Sequence, residues 1–338
     1  MAGDKNISTD KITVTCSPHI HCGLTVSEVM RDVNVALIPA VAFAIYSFRF
    51  YAIGVIIMSL LGAISAEYFT GKLIGKKHTL NDGSAIVTGL LLALCLPPNI
   101  PAWIAFVGGF ISIALGKQIY GGLGQNIFNP AHVGRAILLI SWPVYMTTWL
   151  KPLVDGVTTA TPLGALKVKA AENAGVSLGI LANNTLNELG LSFSNLFIGS
   201  NVPGSIGETS KLALIIGGIY LIMRGHIRLH APLAMVSTVF AGAYLYSGSF
   251  DYALFHLLTG GLILGSIFMV TDMVTSPVSD KGNIVFGIGC GLITLLIRLK
   301  GGYPEGVCFS ILIMNSVVPL IDKLFKPKRF GTGEVKNA

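Results

Sequence analysis

Long apolar segments recur along this sequence, and they constrain the fold more than any other feature. A helix that crosses a bilayer needs roughly 20 mostly apolar residues, and we find ten candidate segments. They comprise residues 33–48, 51–71, 84–97, 101–119, 129–143, 211–223, 231–247, 252–270, 283–298 and 305–324. The pattern predicts an all-α polytopic membrane protein of about ten transmembrane helices.

The composition supports a membrane location. Of the 338 residues, 52% are hydrophobic and 12% are charged, whereas about a quarter of a soluble domain is charged. The 40 glycines suit helices that approach closely in lipid. The net charge of +7 comes from short basic clusters between apolar segments. These clusters indicate membrane topology and do not form a stripe that would bind nucleic acid.

Two of the ten segments are interrupted by helix-breaking or polar residues. The third candidate stops at Pro97 and Pro98, and the eighth runs into Asp272 and Pro277. Proline removes a backbone donor and breaks a helix. Irregular backbone at membrane depth persists only where protein or a cavity covers it. We therefore expect broken or re-entrant helices here, close to functional sites.

Lysine and arginine in the short loops predict the orientation of the chain. No secretory signal precedes the first apolar segment, so we expect the N-terminus to stay in the cytoplasm. Arg49, Arg298 and Lys300 fall in loops that this orientation places outside. The residues that support the orientation are Lys72, Lys76, Lys77, Lys117, Arg224, Arg228, Lys323, Lys326, Lys328 and Arg329.

This orientation divides the chain into five parts, with both termini in the cytoplasm. The parts are a cytoplasmic N-terminal segment (1–32), a first five-helix repeat (33–143), an external segment (144–210), a second five-helix repeat (211–324) and a cytoplasmic tail (325–338).

The two halves share short motifs. The Thr-Gly pair at 88–89 recurs at 259–260, and the Gly-Gly pair at 121–122 recurs at 301–302. Because five spans is an odd number, the second repeat would be inverted relative to the first. Inverted repeats place central sites at the interface between the two halves.

Glycine and polar residues are densest in the segment 121–131, GGLGQNIFNPA. One interpretation is a tight turn beginning at Gly121 and Gly122 that lets a planar ligand or an ion approach the backbone. The other is a well-capped helix start, in which Asn129 caps a helix whose first residue is Pro130. The sequence alone does not separate these alternatives.

Arg135 lies inside the fifth apolar segment, where an unpaired charge is costly. It therefore requires an acidic partner or an aqueous edge. Acids close to the ends of predicted spans are Glu67, Asp272, Glu305 and Asp322. Each could pair with Arg135, lie on an ion path, or reach the lipid headgroups from the interface.

The cysteines favour burial over metal binding. Five are spread over loops and apolar segments without any Cys-x-x-Cys pair. They are therefore interpreted as small buried hydrophobic residues, and we expect no structural metal. The cysteines are Cys16, Cys22, Cys95, Cys290 and Cys308.

Hydroxyl side chains cluster in the sequence DGVTTATPL at 155–163. By composition alone this is a turn-forming stretch, and Thr161 is expected to be an ordinary solvated loop residue.

Three motifs together resemble a known family. They are GGLGQNIFNPAHVGRA at 121–136, DGVTTATPL at 155–163, and FMVTDMVTSP at 268–277 followed by YPEG at 303–306. The chain resembles RnfD, a membrane protein of the Rnf ferredoxin:NAD oxidoreductase complex, and its relative NqrB of the sodium-translocating NADH:quinone oxidoreductase. The similarity covers nearly the whole chain, and the short polar N-terminal segment favours RnfD.

The resemblance implies a covalent cofactor. In this family a flavin transferase esterifies FMN, through its phosphate, to the last threonine of a motif similar to Asp-x-x-Ser/Thr-Gly-Ala-Thr. The motif corresponds here to Asp155, Thr158, Thr159, Ala160 and the acceptor Thr161. Thr159 replaces the usual glycine, which bears on the efficiency of the transferase more than on the identity of the site.

The resemblance also implies a second flavin, non-covalent riboflavin. In the quinone-linked relative, the glycines matching Gly121 and Gly122 are associated with quinone, and the acid matching Asp322 with sodium uptake. An Rnf-type protein is not expected to bind quinone. Gly121, Gly122 and Asn129 are therefore candidates to line a flavin or ion passage, and Asp272, Glu305 and Asp322 are candidates for the ion path.

The function implied by the resemblance is electron transfer between ferredoxin and NAD coupled to translocation of sodium or protons across the bacterial cell membrane. The protein would be part of this translocase and not catalytic alone. Its expected partners are membrane lipid, the Rnf proteins RnfA, RnfB, RnfC, RnfE and RnfG, of which RnfG carries a second FMN, and the flavin transferase. The alternatives are a passive channel or solute transporter, or a scaffold without a chromophore.

Overall fold

The computed structural model is almost entirely helical in the residues that it describes. Its only strands there are Trp149–Leu150 and Thr158–Thr159, which form a two-stranded antiparallel ribbon with Trp149 opposite Thr159. The described residues are 23–75, 80–154, 156–173 and 176–326.

Fifteen helices, numbered in chain order, make up the described fold. In the first half these are α1 (Val26–Phe48), α2 (Phe50–Ile74), α3 (Ser84–Cys95), α4 (Ala102–Ala114) and α5 (Pro130–Ser141). The connecting segment contains α6 (Pro143–Thr147), α7 (Pro162–Glu172), α8 (Leu178–Glu188) and α9 (Phe193–Ile198). In the second half they are α10 (Lys211–Met223), α11 (His230–Ser247), α12 (Phe250–Leu258), α13 (Leu262–Leu264), α14 (Asp280–Lys300) and α15 (Val307–Leu324).

Several helices are long and apolar enough to cross a membrane. By length and composition, five helical segments of the described chain meet this test, and α12 with residues 262–269 forms a sixth, bent by 65°. The five are α1, α2, residues 102–120, α14 and α15. The prediction of a multi-pass helical protein is confirmed. Helices also occupy the other predicted segments, but α3, α5 and α10 are only 12 or 13 residues long.

The expected interruptions are present. Helix α3 ends at Cys95, just before the two prolines. Thr259, Gly260 and Gly261 separate α12 from α13 and change the direction of the chain. A π-helical turn then spans Gly265–Met269, and such turns occur mostly at functional sites.

The helices of the two halves pack in the same order. Helix α2 contacts α3 and α4, and α4 contacts α5; in the second half α11 contacts α12 and α14, and α14 contacts α15. Glycine permits the closest approaches. A Cβ on Gly109 of α4 would lie 2.2 Å from Ser59 O of α2, and a Cβ on Gly287 of α14 would lie 2.5 Å from Ala231 O of α11.

The connecting segment is a folded layer and not an open loop. Leu163, Leu181 and Leu196, from α7, α8 and α9, are buried in one apolar cluster together with Phe255 of α12. We call the end of the bundle that this layer covers the loop end. The opposite end, where α1 begins and α15 finishes, is called the terminal end.

Candidate functional site

Thr161 is a buried helix cap. Its backbone is extended, with φ −69° and ψ 153°, and its Oγ1 accepts a hydrogen bond from Gly164 N at 3.1 Å. Pro162 takes the first helical position, where its missing N–H costs nothing. The side chain is only 9% exposed, so the expectation of a solvated loop residue from composition is wrong. The residues Thr-Pro-Leu-Gly could have indicated the cap.

A cavity of about 530 Å³ opens beside Thr161, within the range of cofactor pockets. Trp149, Tyr303 and Phe309 contribute aromatic walls. The rings of Tyr303 and Phe309 are stacked, with centroids 6.0 Å apart. Arg135 also lines the cavity. The space, aromatic surface and positive charge suit a planar cofactor that carries a phosphate.

The remaining residues of the attachment motif lie beside this cavity. Thr158 is exposed and Thr159 is half-buried on the second strand, while Ala160 is exposed. Thr159 and Ala160 line the cavity, whereas Thr158 is not among its lining residues. Asp155 lies outside the described residues.

The arrangement at Thr161 fits a phosphoester. A cap uses an acceptor lone pair of Oγ1, so an ester at this oxygen still accepts from Gly164 N. The phosphate would then stand at the N-terminus of the eleven-residue helix α7, where unpaired N–H groups and the helix dipole stabilise an anion.

Arg135 finds its partner in Glu305, as one of the alternatives required. Arg135 Nη2 lies 3.0 Å from Glu305 Oε2, across the contact between α5 and the start of α15. Glu305 Oε1 accepts from Gly261 N and lies 3.8 Å from Arg298 Nη2. Glu305 is therefore an anion held between two arginines.

Two further charges that the sequence reasoning missed complete this group. Glu208 ends a 3₁₀ turn before α10, and Lys211 begins α10; both are at most 6% exposed. A cavity of about 30 Å³ joins them to Thr161 and Glu305. Burial raises the pKa of Glu208, and the neighbouring Glu305 carboxylate raises it further.

We call Arg135, Glu208, Lys211, Arg298 and Glu305 the loop-end cluster. With both carboxylates ionised, its three cations leave one excess positive charge. Arg298 belongs to it because its side chain is buried, 4% exposed, and is therefore not the loop charge that its position in the sequence indicated.

The terminal end contains a separate buried ion pair. Lys117 Nζ lies 2.8 Å from Glu67 Oε2 and donates to Ser84 Oγ at 2.7 Å, and Gln118 donates to Glu67 at 2.8 Å. Lys117 and Glu67 are each 1% exposed. Glu67 thus pairs with Lys117 and not with Arg135.

The structure supports the capping interpretation of the segment 121–131. Gly121 and Gly122 have φ of 119° and 106°, which favours glycine. Asn129 accepts from Ala131 N at 3.1 Å. With its amide oriented so that both its groups are bonded, Asn315 of α15 accepts from Asn129 N at 3.0 Å.

The candidate ion-path acids lie at opposite ends. Asp272 accepts from Thr275 Oγ1 at 2.9 Å and lines a cavity of about 80 Å³ at the terminal end, together with Asn129. Asp322 accepts from Val278 N at 3.0 Å, also at that end. Glu305 lies at the loop end, so the structure does not bring the three acids together.

Comparison with known proteins assigns the chain to a family. Residues 13–331 match the NQR2, RnfD, RnfE family. The chain belongs to this family. The match covers most of the sequence and confirms the resemblance that the motifs indicated.

Relatives of similar length carry closely related names, all of them D subunits of ion-translocating complexes. The chain is 47% identical to that of the proton-translocating ferredoxin:NAD(+) oxidoreductase complex of Clostridium ljungdahlii, over 97% of this chain and 99% of that protein. It is 44% identical to that of the Na(+)-translocating complex of Acetobacterium woodii, over 96% and 97%. It is 40% identical to that of the ion-translocating oxidoreductase complex of Stutzerimonas stutzeri, over 91% and 92%.

Proposed function

We propose that this chain is the flavin-carrying membrane subunit of an Rnf-type complex, which couples electron transfer between ferredoxin and NAD to translocation of sodium or protons. Its family membership and full-length similarity to the D subunits of such complexes support this role. Other Rnf proteins, including the FMN-bearing RnfG, are its partners. As one subunit of an oxidoreductase it is not catalytic alone.

The cofactor proposed for Thr161 is FMN in phosphoester linkage, attached by a flavin transferase. One observation carries this assignment: the Thr161 hydroxyl, buried at the N-terminus of α7, opens on the 530 Å³ cavity. When bound, the isoalloxazine ring supplies the electron-transfer chemistry. Helix α7 holds the phosphate, Arg135 adds positive charge, and the aromatic walls exclude water.

The mass of the denatured subunit, purified from cells that contain the transferase, tests the attachment. We expect one esterified FMN on the wild type and none on Thr161→Ala, because alanine has no acceptor oxygen. Thr158→Ala and Thr159→Ala should retain attached flavin, and Thr161→Ser should retain part of it. Flavin on Thr161→Ala that survives denaturation would assign the linkage to another residue.

Riboflavin is proposed as a second, non-covalent flavin of the membrane part, on family resemblance alone. The cavity beside Asn129 and Asp272 is about 80 Å³, well below the roughly 300 Å³ of small ligand pockets. These residues do not fit a tricyclic ring in the arrangement observed, so we assign no riboflavin ligands. Extraction of the Thr161→Ala complex should release riboflavin; its absence would contradict the proposal.

We also propose ten spans in two inverted repeats, with segment 144–210 outside and both termini in the cytoplasm. The shared packing order of the halves supports this arrangement. So does the contact of α5 with α15, because Arg135 reaches the start of α15 and Asn315 reaches the start of α5. These two reciprocal contacts require antiparallel helices.

Thiol labelling in intact cells tests this orientation. Ser177→Cys, before α8, should react with an impermeant thiol reagent, whereas Lys323→Cys, in the last turn of α15, should react only after lysis. Protection of the first cysteine until lysis would contradict the orientation. A background without reactive native cysteines makes the comparison clean.

A further inference from the structure

A second cavity at the loop end lies on the other face of α7 from the Thr161 cavity. It measures about 460 Å³ and is enclosed by α7, α12 and the last turns of α14. Its polar lining is rich in hydrogen-bond donors. None of the described residues that line it is aspartate or glutamate. The main polar residues are Lys167, Tyr246, Tyr252, His256 and Arg298.

Two of these side chains are buried without a full set of partners. His256 is 3% exposed, and neither ring nitrogen has a hydrogen-bond partner in the described protein. Arg298 donates from Nη1 to His256 O at 2.5 Å and from Nη2 to Thr259 O at 3.1 Å. Its Nε has no partner there. Buried polar groups are nearly always bonded, so these groups indicate a ligand that accepts hydrogen bonds.

The terminal end shows what this cavity lacks. Lys117 follows α4 and Arg298 lies near the end of α14, each a few residues before a Gly-Gly pair. Helix α2, packed on α4, supplies the Glu67 carboxylate to Lys117. Helix α11, packed on α14, has no acidic residue. Glu305 is 3.8 Å from Arg298 and pairs more closely with Arg135.

Lys167 adds a third donor at the mouth of the cavity. Its Nζ donates to Tyr303 O at 3.0 Å and also to Gly301 O. An ammonium has three donors, so one remains for a ligand. The remaining lining includes the apolar side chains Leu166 and Leu299.

We propose that this cavity binds a phosphate-bearing organic ligand, whose oxygens accept from His256, Arg298 Nε and Lys167 and take the place that Glu67 has beside Lys117. Charge-assisted hydrogen bonds of this kind are the strongest that side chains form. The volume exceeds that of a phosphate ion, and the apolar wall accommodates the rest of the molecule. The headgroup of an anionic phospholipid and a small soluble phosphate share this chemistry.

The test uses the purified complex in detergent and a matched pair of histidine variants. His256→Leu removes the donors of a side chain whose ring nitrogens bond nothing else in the described protein. His132→Leu is the control, because His132 is 1% exposed and equally unpartnered but is not among the residues that line this cavity. Near-equal melting temperatures of the two variants would establish that both fold.

Native mass spectrometry, followed by denaturation, separates a non-covalent ligand from flavin esterified to Thr161. Wild type and His132→Leu should release about one phosphate-bearing ligand per protein chain. His256→Leu should bind it about tenfold more weakly, since one hydrogen bond to a charged group is lost. No released phosphate-bearing ligand from wild type, or equal loss from both variants, would overturn the proposal.

Two probes then distinguish the sources. After delipidation, nanodiscs that contain phosphatidylglycerol, compared with phosphatidylcholine alone, should refill the cavity if a lipid headgroup binds. Competition by inorganic phosphate would indicate a soluble phosphate. If neither probe binds wild type, the site is refuted. The proposal is independent of the FMN assignment: loss of covalent flavin from all samples would refute only the latter.

Discussion

The two ends of the molecule neutralise a buried basic residue in different ways. At the terminal end Lys117 and Glu67 form a pair in which each side chain is 1% exposed, and Ser84 and Gln118 supply further hydrogen bonds. At the loop end Arg298 bonds two carbonyls and shares the more distant Glu305 with Arg135.

The difference follows from the cost of desolvation. A buried charge is tolerated only when it is paired and hydrogen-bonded. The terminal end satisfies this condition within the chain. The loop-end cluster has one more cation than anion, and the proposed phosphate on Thr161 would be an anion beside it. The end that closes on itself is therefore structural, and the open end is the one suited to bind anions.

Breaking the closed pair should have the largest effect. Glu67→Gln leaves the Lys117 ammonium buried without its counter-charge, and we expect a loss of about 3–5 kcal/mol of stability. The melting temperature of the purified complex measures it. Replacing both residues by leucine should recover most of the loss, because an apolar pair needs no counter-charge. A melting temperature unchanged in Glu67→Gln would remove the distinction between the ends.

At the loop end, Glu305→Gln should have a smaller effect. The amide can still accept from Gly261 N, but Arg135 and Arg298 lose their shared anion, so we expect about 2–3 kcal/mol. Bound phosphate should offset part of this loss, and the variant should therefore melt lower without covalent FMN than with it. If stability stays normal while fewer ions move per electron, Glu305 acts on the ion path and not in pairing.

Asp322→Asn should have the smallest effect on stability, within about 0.5 kcal/mol. Its carboxylate is partly exposed near the end of α15, and an amide oxygen can still accept from Val278 N. We expect flavin content to remain normal while ions moved per electron decline, as measured in proteoliposomes. Normal coupling would take Asp322 off the proposed ion path and leave the comparison of the two ends intact.

Local features of the chain were predictable because their physics acts over a few residues. Apolar segments located the helices, Asn129 and Pro130 indicated the start of α5, and the prolines after α3 indicated its end. The motif around Thr161 identified the expected flavin threonine only through resemblance. Composition alone failed there, because a buried cap and a solvated turn use the same residue types.

Long-range pairing was beyond such reasoning. Arg135 was predicted to need an acid, but four candidates were equal until α5 met α15 and selected Glu305. Lys117 and Arg298 were interpreted as loop charges, since nothing near them in the sequence reveals that they are buried. Glu208 attracted no attention because the turn that buries it packs on α3 through the bond from Ile206 N to Leu96 O, 3.0 Å long.

By itself, then, the sequence determined that the chain is helical, apolar and interrupted at defined points, because hydrophobicity and backbone constraints are local properties. The tertiary structure alone decided which charges are buried, which are paired and which face a cavity. Those outcomes depend on the distance between residues as much as 170 positions apart, as for Arg135 and Glu305. Electrostatic free energy depends on that separation and on burial, and neither quantity is present in the order of the residues.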